Sequence, residues 1–460
     1  MNLKRKLPLV ALVAMMGFGG LTLSSCKKDD RVQVVFWHTM GKNNQEKLNA
    51  MIEEFEAEHP DIHINHASQG GYTDIEDKII KAIPAKTTPT MAFCYPDHVA
   101  NYIDSNAAVR LNDFVEDETI GLTAEELQDY KDAGFWSEGS ESYGNSGDIY
   151  SVPFSKSTEV LFYNATFFEK YDLPIPTKWE NTEDPNDLTA MFNLCRKIKE
   201  IDPSLTPLGY DSDDNMYITL SAQYGIPYTS IGEDGNGSID FNNAEAKALI
   251  TRLKGYYDEG LFVTKGTLPY NTYTSTKFVK EELIMSIGST GGTSHNIPAK
   301  DSDGNYLFDV KVAAIPQANP ANPKVISQGP SIVFFKNSKI SDEQVEASWL
   351  FYKHITNTHN SAAYSIFTGY EPVRDSSYET EEYQAHLNKT GADETLYTRV
   401  ANLTSTEAVK KAYFSSPVFV GSSTCRQECG GILTQVLLGN KTVDKAFSDA
   451  ETVCAFALGI

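Results

Sequence analysis

Apolar positions along the chain fall either into short continuous runs or into runs with helical spacing. The segment VQVVFW at 32–37 is almost wholly apolar, which predicts a buried strand. Apolar residues then recur at i, i+3, i+4 and i+7 from Leu48 to Phe55, which predicts a helix over 43–58. A second strand is predicted for IHINHA at 62–67. Strand, helix and strand in this order predict a βαβ unit with parallel strands and a right-handed crossover.

The same alternation of strand and helix patterns continues through the rest of the chain. Further predicted strands lie in TMAFCYPDH, VLFYN, EDGNGSIDF, LIMSIGST, FDVKVAAIP and SIVFF. Further predicted helices lie in GLTAEELQDYKDAGF, ATFFEKYD before Pro174, DLTAMFNLCRKIKEID, NAEAKALITRLKGYYDEG, 341–357, 359–367, 404–413, 427–438 and 442–458. Because no repeat or low-complexity linker interrupts this order, we expect an α/β protein with two packed lobes.

The first residues carry the pattern of an export signal. Three cations, Lys4, Arg5 and Lys6, precede a short apolar run and the small residues of LSSC, which predicts a cleaved leader over 1–25. The apolar run is too short and too rich in glycine for a membrane span. LSSC resembles the lipobox of bacterial lipoproteins, a family that carries acyl chains such as palmitate on the cysteine, here Cys26. The resemblance implies a lipid anchor in the cell envelope; an ordinary signal with another cleavage site is the alternative.

The chain is strongly acidic, with a formal net charge of −23. Because the predicted leader contributes only positive charge, the mature protein is expected to repel nucleic acid and anionic lipid headgroups, and neither is expected as a partner. The cysteines that follow Cys26 are odd in number: Cys94, Cys195, Cys425, Cys429 and Cys454. They are interpreted as core thiols, with a disulfide between Cys425 and Cys429 as a further possibility in an exported chain.

No enzyme motif is evident in the sequence. The histidines show no HExxH spacing, DSDGNYLFD at 301–309 has its glycine in the wrong place for a calcium loop, and no GxSxG elbow or phosphate loop is present. We therefore predict no catalytic residue, no metal and no cofactor. Carboxylates are abundant, however, so a surface hydrolase acting on glycosides or phosphodiesters is kept as the alternative function.

Polar, aromatic and glycine-rich stretches follow several of the predicted strands. They are FWHTMGKNN, SQGGYTD, CYPDH, PFSKST, SIGSTGGTSHN, ISQGPS and TGYEPVR. In parallel sheets the loops after the strands meet at one edge, where backbone N–H groups and side chains face a common crevice. The recurrence of these stretches predicts a shared ligand-binding cleft.

At these residues the chain resembles the substrate-binding proteins of bacterial ABC importers, of the maltose-binding class, and most closely the glycerol-3-phosphate-binding proteins. The markers are FWHTM, GGYTDIEDKI, PFSKSTEVLFYN, TSTKFVKEELIMSIGSTGG, SQGPSIVF, TGYEPV and LLGNKTVDKAF. The resemblance implies a monomer with an N-lobe (26–150 and 329–375) and a C-lobe (151–328 and 376–460). It also implies hinge closure over a small ligand and delivery to permease subunits; a sensor or adhesin that kept the fold is a further alternative.

The resemblance also implies a set of ligand contacts. The positions that match the family's motifs are Tyr72, Ser157, Ser289, Gly329, Tyr370 and Arg426. One guanidinium with hydroxyl and backbone donors suits a phosphate group. His38 in FWHTM could either reach the cleft or serve as a framework residue, and Tyr95 and Tyr228 could stack on a sugar.

Two departures from the family's pattern bear on the ligand. The family's carboxylate falls at Pro96, so Asp97 is the candidate replacement. The family's two tryptophans fall within YDSDDNMY, which instead carries Asp211, Asp213 and Asp214. An acidic wall beside a phosphate pocket would suit a glycerophosphodiester with a cationic head, or a polyol or sugar that donates to carboxylates. A solvated acidic loop without a ligand role is the alternative.

Overall fold

The computed structural model describes residues 29–139, Tyr143 and residues 147–460. The predicted leader, its cleavage site and Cys26 lie outside the described residues. No helix in the described part is long and apolar enough to cross a bilayer.

The described strands and helices follow one another in the alternation that the sequence predicts. The strands are β1 (Val32–His38), β2 (Ile62–Ser68), β3 (Met91–Cys94), β4 (Ser151–Pro153), β5 (Glu159–Asn164), β6 (Thr206–Tyr210), β7 (Thr229–Ile231), β8 (Gly237–Ile239), β9 (Phe262–Thr264), β10 (Leu283–Ser289), β11 (Val310–Ala314), β12 (Val325–Ile326), β13 (Ser331–Phe334) and β14 (Tyr413–Phe414). The α-helices are α1 (Lys42–Glu58), α2 (Tyr72–Ala85), α3 (Pro96–Asp104), α4 (Asn112–Val115), α5 (Ala124–Asp132), α6 (Ala165–Lys170), α7 (Met191–Ile201), α8 (Asp213–Tyr224), α9 (Ala244–Asp258), α10 (Ser275–Phe278), α11 (Asp342–Ile355), α12 (Thr358–Thr368), α13 (Asp375–Tyr378), α14 (Glu381–Leu387), α15 (Leu396–Thr404), α16 (Glu407–Lys410), α17 (Ser422–Leu437) and α18 (Val443–Leu458).

The N-lobe is built on a mixed sheet with the strand order β2-β1-β3-β13-β4. β1 runs parallel to β2 and β3, whereas β13 is antiparallel to β3 and β4. The predicted βαβ unit is present, because α1 connects β1 to β2 and buries the apolar face that runs from Leu48 to Phe55. That face joins a core that includes Phe36, Phe93 and Trp349.

The C-lobe is built on a second mixed sheet with the strand order β11-β5-β10-β6-β9. β10 is parallel to β6 and antiparallel to β5, and β6 is parallel to β9. Helices α7, α8, α9, α17 and α18 contribute to a separate core that includes Leu208, Met285 and Leu433. Each sheet therefore has its own hydrophobic core, as the predicted two-lobed fold requires.

Two short segments pass between the sheets, and we call them the crossing segments. Residues 154–158 lead from β4 in the N-lobe to β5 in the C-lobe, and residues 327–330 lead from β12 back to β13. The crossing segments run side by side, because Ser157 and Gln328 exchange two backbone N–H···O bonds of 2.8 Å. The exact lobe boundaries remain a prediction, but β4 pairs with β13 in the N-lobe sheet.

The sequence analysis missed several helices close to the cleft. It assigned YDSDDNMY to a loop, whereas Asp213 and Asp214 form the first turn of α8, where Ser212 accepts a hydrogen bond from the Asn215 N–H. Residues 215–221 of α8 are all buried, so the helix has no polar face from which a 3.6-residue period could be recognised. Acidic residues in a first turn are favourable because they face the positive end of the helix dipole.

The C-terminal helices also differ from their predicted bounds. The predicted helix at 404–413 is only the short α16, and α15 ends at Thr404, where that prediction began. The predicted helix at 427–438 begins earlier, at Ser422, and this extension brings Arg426 into α17.

The five described cysteines are free and buried. The disulfide considered between Cys425 and Cys429 is wrong, since both lie one turn apart in α17. Side chains four residues apart on a helix have Cβ atoms roughly 5–6 Å apart, whereas a disulfide needs about 3.5–4.5 Å. The two thiols instead pack in the C-lobe core.

Candidate ligand-binding cleft

A cavity opens between the lobes beside the second crossing segment. Its lining consists of Tyr95, Pro96, Asp97, Glu138, Ile326, Ser327, Gln328, Gly329, Ser415, Ser416, Val418 and Arg426. The cavity has a volume of about 50 Å³. A space of this size holds a few waters, whereas sites for small organic ligands usually measure about 300–1,000 Å³.

Tyr95 lines the cavity, and we call Tyr95 together with the neighbouring Tyr72 and Tyr370 the aromatic wall. Tyr95 follows β3 and Tyr72 begins α2, and their rings stack with centroids 4.0 Å apart and planes 19° apart. Tyr370 follows α12 and packs against Gly291, where an added Cβ would lie 2.4 Å from the Tyr370 Cζ atom. Burial raises the pKa of the Tyr370 hydroxyl to about 12, so the wall stays uncharged at neutral pH.

Arg426 also lines the cavity, and we call Arg426 together with its bonded partners Asp214 and Asn215 the charged wall. The Arg426 Nε donates to the Asp214 Oδ2 at 2.7 Å, and a terminal nitrogen of the guanidinium donates to the Asn215 Oδ1. Burial by itself would raise the pKa of Asp214, but the Arg426 charge and the Ser212 hydroxyl outweigh it and lower that pKa. The guanidinium carbon lies 6.0 Å from the centre of the Tyr95 ring, so the two walls meet there.

The other two acids of the predicted acidic wall bind a neighbouring loop of the C-lobe. The Asp211 Oδ1 accepts from the Thr274 N–H at 2.5 Å and from its hydroxyl at 2.7 Å. The Asp213 carboxylate accepts from the Gly266 N–H and from the Thr434 hydroxyl, both at 2.8 Å. Of the three aspartates, only Asp214 is therefore bonded to a residue that lines the cavity.

The matched serines and glycine lie at the junction of the lobes. Gly329 has a φ of 98°, and an added Cβ would lie 2.4 Å from the Ser155 carbonyl oxygen, so the two crossing segments approach as only glycine allows. Ser157 is buried and bonds to Gln328 through its backbone. The Ser289 Oγ accepts from the Gly291 N–H at 3.2 Å and so shapes the turn against which Tyr370 packs.

His38, the last residue of β1, lies in a directional hydrogen-bond chain. The Met40 N–H donates to the His38 Nδ1 at 3.1 Å, which leaves the His38 Nε2 to donate to the His66 Nδ1 at 2.9 Å. The His66 Nε2 then donates to the Asn49 Oδ1 at 2.8 Å. Burial, with a contribution from His66, lowers the pKa of His38 to about 3, so its imidazole is neutral at neutral pH. This geometry fits a framework role.

The cavity brings together Asp97, Gly329 and Arg426 among the predicted site residues. Tyr72 adjoins the lining through its stack on Tyr95, and Asp214 adjoins it through its bond to Arg426. His38, Ser157, Asp211, Ser289 and Tyr370 lie outside the lining. Among the residues that the sequence analysis missed, Ser327 and Gln328 stand in the stretch ISQGPS, which signals a loop at the cleft. Glu138, Ser415 and Ser416 stand in no motif, and only the fold brings them to the cavity.

The Asp97 carboxylate is the candidate replacement for the family's acid and lines the cavity. Its Oδ1 accepts from the backbone N–H of His98 at 3.1 Å. Its negative charge, in the N-lobe, helps to raise the pKa of the Arg426 guanidinium in the C-lobe. Among the described residues, no three His, Cys, Asp or Glu side chains gather as a metal site.

The family model for bacterial extracellular solute-binding proteins matches residues 50–390. The chain belongs to this family. The solute-binding protein is 25% identical over 371 residues to the sn-glycerol-3-phosphate-binding periplasmic protein UgpB of Escherichia coli K12, an alignment that covers 78% of each chain. UgpB of Salmonella typhimurium is 25% identical over 372 residues, with the same coverage. The resemblance predicted from the sequence is confirmed.

Solved structures share the fold of this solute-binding protein. The GacH receptor of Streptomyces glaucescens, solved unliganded and with acarbose, has a TM-score of 0.71 at 18% identity and covers 93% of this chain and 98% of its own. UgpB of Mycobacterium tuberculosis, solved with glycerophosphocholine, has a TM-score of 0.70 at 17% identity with the same coverage. The predicted two-lobed α/β fold is confirmed.

Proposed function

We propose that this solute-binding protein is the substrate-binding component of an ABC importer. It captures a small polar ligand between its lobes and delivers it to membrane permease subunits. Closure follows from a difference in affinity, because the ligand binds the closed arrangement more tightly than the open one. The observation that carries the proposal is the cavity whose lining combines Asp97 of the N-lobe with Arg426 of the C-lobe, so that one ligand contacts both.

The charges around the cavity bear on the class of ligand. Arg426 is already bonded to Asp214 and also faces Asp97, while Glu138 is bonded to Lys156. A phosphate monoester would add two negative charges to a site whose single arginine is already neutralised. Uncompensated buried charge is costly, so we favour a zwitterionic glycerophosphodiester or an uncharged sugar over sn-glycerol 3-phosphate.

The aromatic wall fits the same ligands. A sugar ring or the methylene face of a polyol can lie against the stacked rings of Tyr72 and Tyr95. A quaternary ammonium head is also attracted to such faces. A polyol phosphate remains within the proposed class, and its hydroxyls would donate to Asp97.

A ligand panel tests the proposal. The purified mature protein is heated with glycerophosphocholine, sn-glycerol 3-phosphate, maltose or acarbose, and hits are titrated by calorimetry. A true ligand raises the melting temperature by mass action, and we expect glycerophosphocholine or a sugar to do so more than the monoester. A preference for the monoester would overturn the charge argument.

The same samples separate binding from catalysis. Each ligand is incubated with the protein and recovered, and we expect it to be unchanged. Release of choline, glycerol or glucose at a rate above that of buffer would instead support a surface hydrolase.

We also propose that Cys26 carries the lipid anchor that holds the protein in the cell envelope. Stable anchoring requires more than one acyl chain. The variant Cys26→Ser is expected to appear in the soluble fraction of fractionated cells, while the native protein stays with the membrane. A Cys26→Ser protein that remains membrane-bound would contradict the anchor. The variant Cys94→Ser, which changes a buried core thiol, is the matched control.

A further inference from the structure

We propose that Glu138 and Lys156 form a positioning pair that couples the ligand cavity to the hinge between the lobes. The proposal rests on the proposed function, because it describes how occupancy of that cavity changes the lobe arrangement. Glu138 lies in a short 3₁₀ turn of the N-lobe, and Lys156 lies in the middle of the first crossing segment.

The two carboxylate oxygens of Glu138 bind both crossing segments. The Glu138 Oε2 accepts from the Lys156 Nζ, in the first crossing segment. The Glu138 Oε1 accepts from the Ser327 Oγ at 2.6 Å, in the second crossing segment. One carboxylate of the N-lobe therefore bonds to both crossing segments.

Lys156 also contacts three further residues of this region. Its Nζ donates to the Ser331 Oγ at 3.2 Å and lies 3.5 Å from the Gly329 carbonyl oxygen. Its backbone N–H donates to the Glu371 carbonyl at 3.1 Å, and its carbonyl accepts from the Glu371 N–H at 2.6 Å. The backbone and the side chain of Lys156 thus join both crossing segments to the segment that follows α12.

The pair is buried and also borders the ligand. Lys156 has 0% exposure and Glu138 has 9%, so the ion pair is taken almost entirely out of water. A buried ion pair is a weak source of stability compared with an apolar pair of the same size. Glu138, Ser327 and Gly329 nevertheless line the cavity, so a ligand displaces water directly beside these bonds.

This placement explains why polar groups stand at the junction. A ligand that fills the cavity excludes water from the Glu138 carboxylate, and its bonds to Lys156 and Ser327 then strengthen because the local dielectric falls. We infer that opening of the lobes bends the crossing segments relative to the 3₁₀ turn that carries Glu138 and lengthens these two bonds. Occupancy therefore favours the arrangement in which the lobes are close.

Distances between the lobes test the pair. Spin labels are placed at two exposed positions, Lys81→Cys on α2 of the N-lobe and Glu245→Cys on α9 of the C-lobe. The five described native thiols are buried, and Cys26 is replaced by serine so that it takes no label. Double electron–electron resonance then measures the distance between the labels. It gives the ratio of molecules with close lobes to molecules with separated lobes, without ligand and with glycerophosphocholine or maltose. In Glu138→Gln we expect this ratio to fall about tenfold or more without ligand, as for one lost charge-assisted bond.

Two further variants keep the test decisive if Glu138→Gln folds poorly. Ser327→Ala removes only the second bond and should shift the ratio in the same direction by a smaller factor. Lys156→Arg keeps the charge and should restore a ratio close to that of the native protein. Ratios equal to the native value in both Glu138→Gln and Ser327→Ala would overturn the proposal. If neither glycerophosphocholine nor maltose changes the distances in the native protein, the proposed ligand class is wrong. The ratios measured without ligand then still show whether Glu138 and Lys156 hold the lobes close together.

Discussion

The aromatic wall and the charged wall of the cleft present a ligand with different kinds of surface. Tyr72, Tyr95 and Tyr370 offer ring faces that are held in place by packing and by the stack between two of them. Arg426, Asp214 and Asn215 offer polar atoms that are already bonded to one another. A ligand adds contacts to the first wall, but it must compete with existing bonds on the second.

This difference changes the meaning of an arginine in a binding cleft. A guanidinium alone indicates an anion site, whereas a guanidinium bonded to a carboxylate presents a dipole with only part of its donors free. The charged wall can thus orient a hydroxyl or a phosphodiester without attracting anions in general. The large negative net charge of the chain also disfavours binding of a free anion.

The largest expected effect follows from removing the arginine of the charged wall. Arg426→Ala deletes a charge-assisted contact and leaves Asp214 without its partner, so we expect ligand affinity to fall by about 2 kcal/mol or more. Calorimetry with the best ligand of the panel measures the change. Arg426→Lys is the matched control and should recover only part of the affinity, because an ammonium cannot reproduce the planar fork. Unchanged affinity in Arg426→Ala would remove Arg426 from the site.

The buried imidazole of His38 is expected to make the stability of the folded protein depend on pH. Burial lowers the pKa of His38 from its ordinary 6.5 to about 3. The unfolded chain therefore binds a proton that the folded chain does not, and stability is lost as pH falls below about 6.5. We expect this imidazole to account for about 2.5 kcal/mol of the stability lost between pH 7 and pH 4.5.

Urea unfolding at the two pH values checks this expectation. His38→Asn should lose less stability on acidification than the native protein, even if it is less stable at pH 7. His359→Asn, which alters an exposed imidazole bonded to Glu382, is the control and should behave like the native protein. The pKa of Asp214 is lowered from 3.8, so the charged wall weakens only in more acidic solution. Equal acid sensitivity of His38→Asn and native protein would refute the neutral histidine chain.

The sequence predicted the lobes more completely than it predicted the cleft. Elements with a clear period, such as α1 with its face from Leu48 to Phe55, match their predicted positions. α8 was missed because residues 215–221 are buried on all sides and leave no polar face. The family's motifs located Gly329 and Arg426, and both line the cavity.

What the sequence did not supply was the pairing of side chains across long separations. Arg426 meets Asp214 only because α17 packs against α8, and Glu138 meets Ser327 only because the crossing segments run together. Such pairs depend on the tertiary structure and leave no local pattern. The acidic stretch 211–214 illustrates the point, since three similar aspartates have separate partners.

A smaller effect is expected from the aromatic wall. Tyr72→Ala removes one ring of the stack and should weaken binding of a sugar or of glycerophosphocholine by about 1 kcal/mol, the usual value for such a pair. Tyr72→Phe keeps the ring and should bind almost as the native protein does. If Tyr72→Phe and Tyr72→Ala lose affinity equally, the hydroxyl rather than the ring face contacts the ligand.

The smallest effect concerns the different bonding partners of Asp211 and Asp214. Asp214 is bonded to Arg426, whereas Asp211 is bonded to Thr274. We expect Asp214→Asn to free the guanidinium and shift the preference between glycerophosphocholine and sn-glycerol 3-phosphate toward the monoester by several tenths of a kcal/mol, a typical magnitude for a partly exposed charge. Asp211→Asn should change that preference less, because its carboxylate is bonded to Thr274 and not to Arg426, which lines the cavity.

Competition calorimetry with the two ligands measures both ratios, and the double variant Asp211→Asn with Asp214→Asn should match Asp214→Asn alone. Sites that do not touch the same partner usually combine additively. A larger shift in Asp211→Asn than in Asp214→Asn would mean that the loop held at Thr274, rather than the charged wall, selects the ligand. Identical ratios in all three variants would mean that charge on this side of the cleft does not select the ligand, which would leave the aromatic wall as the source of specificity.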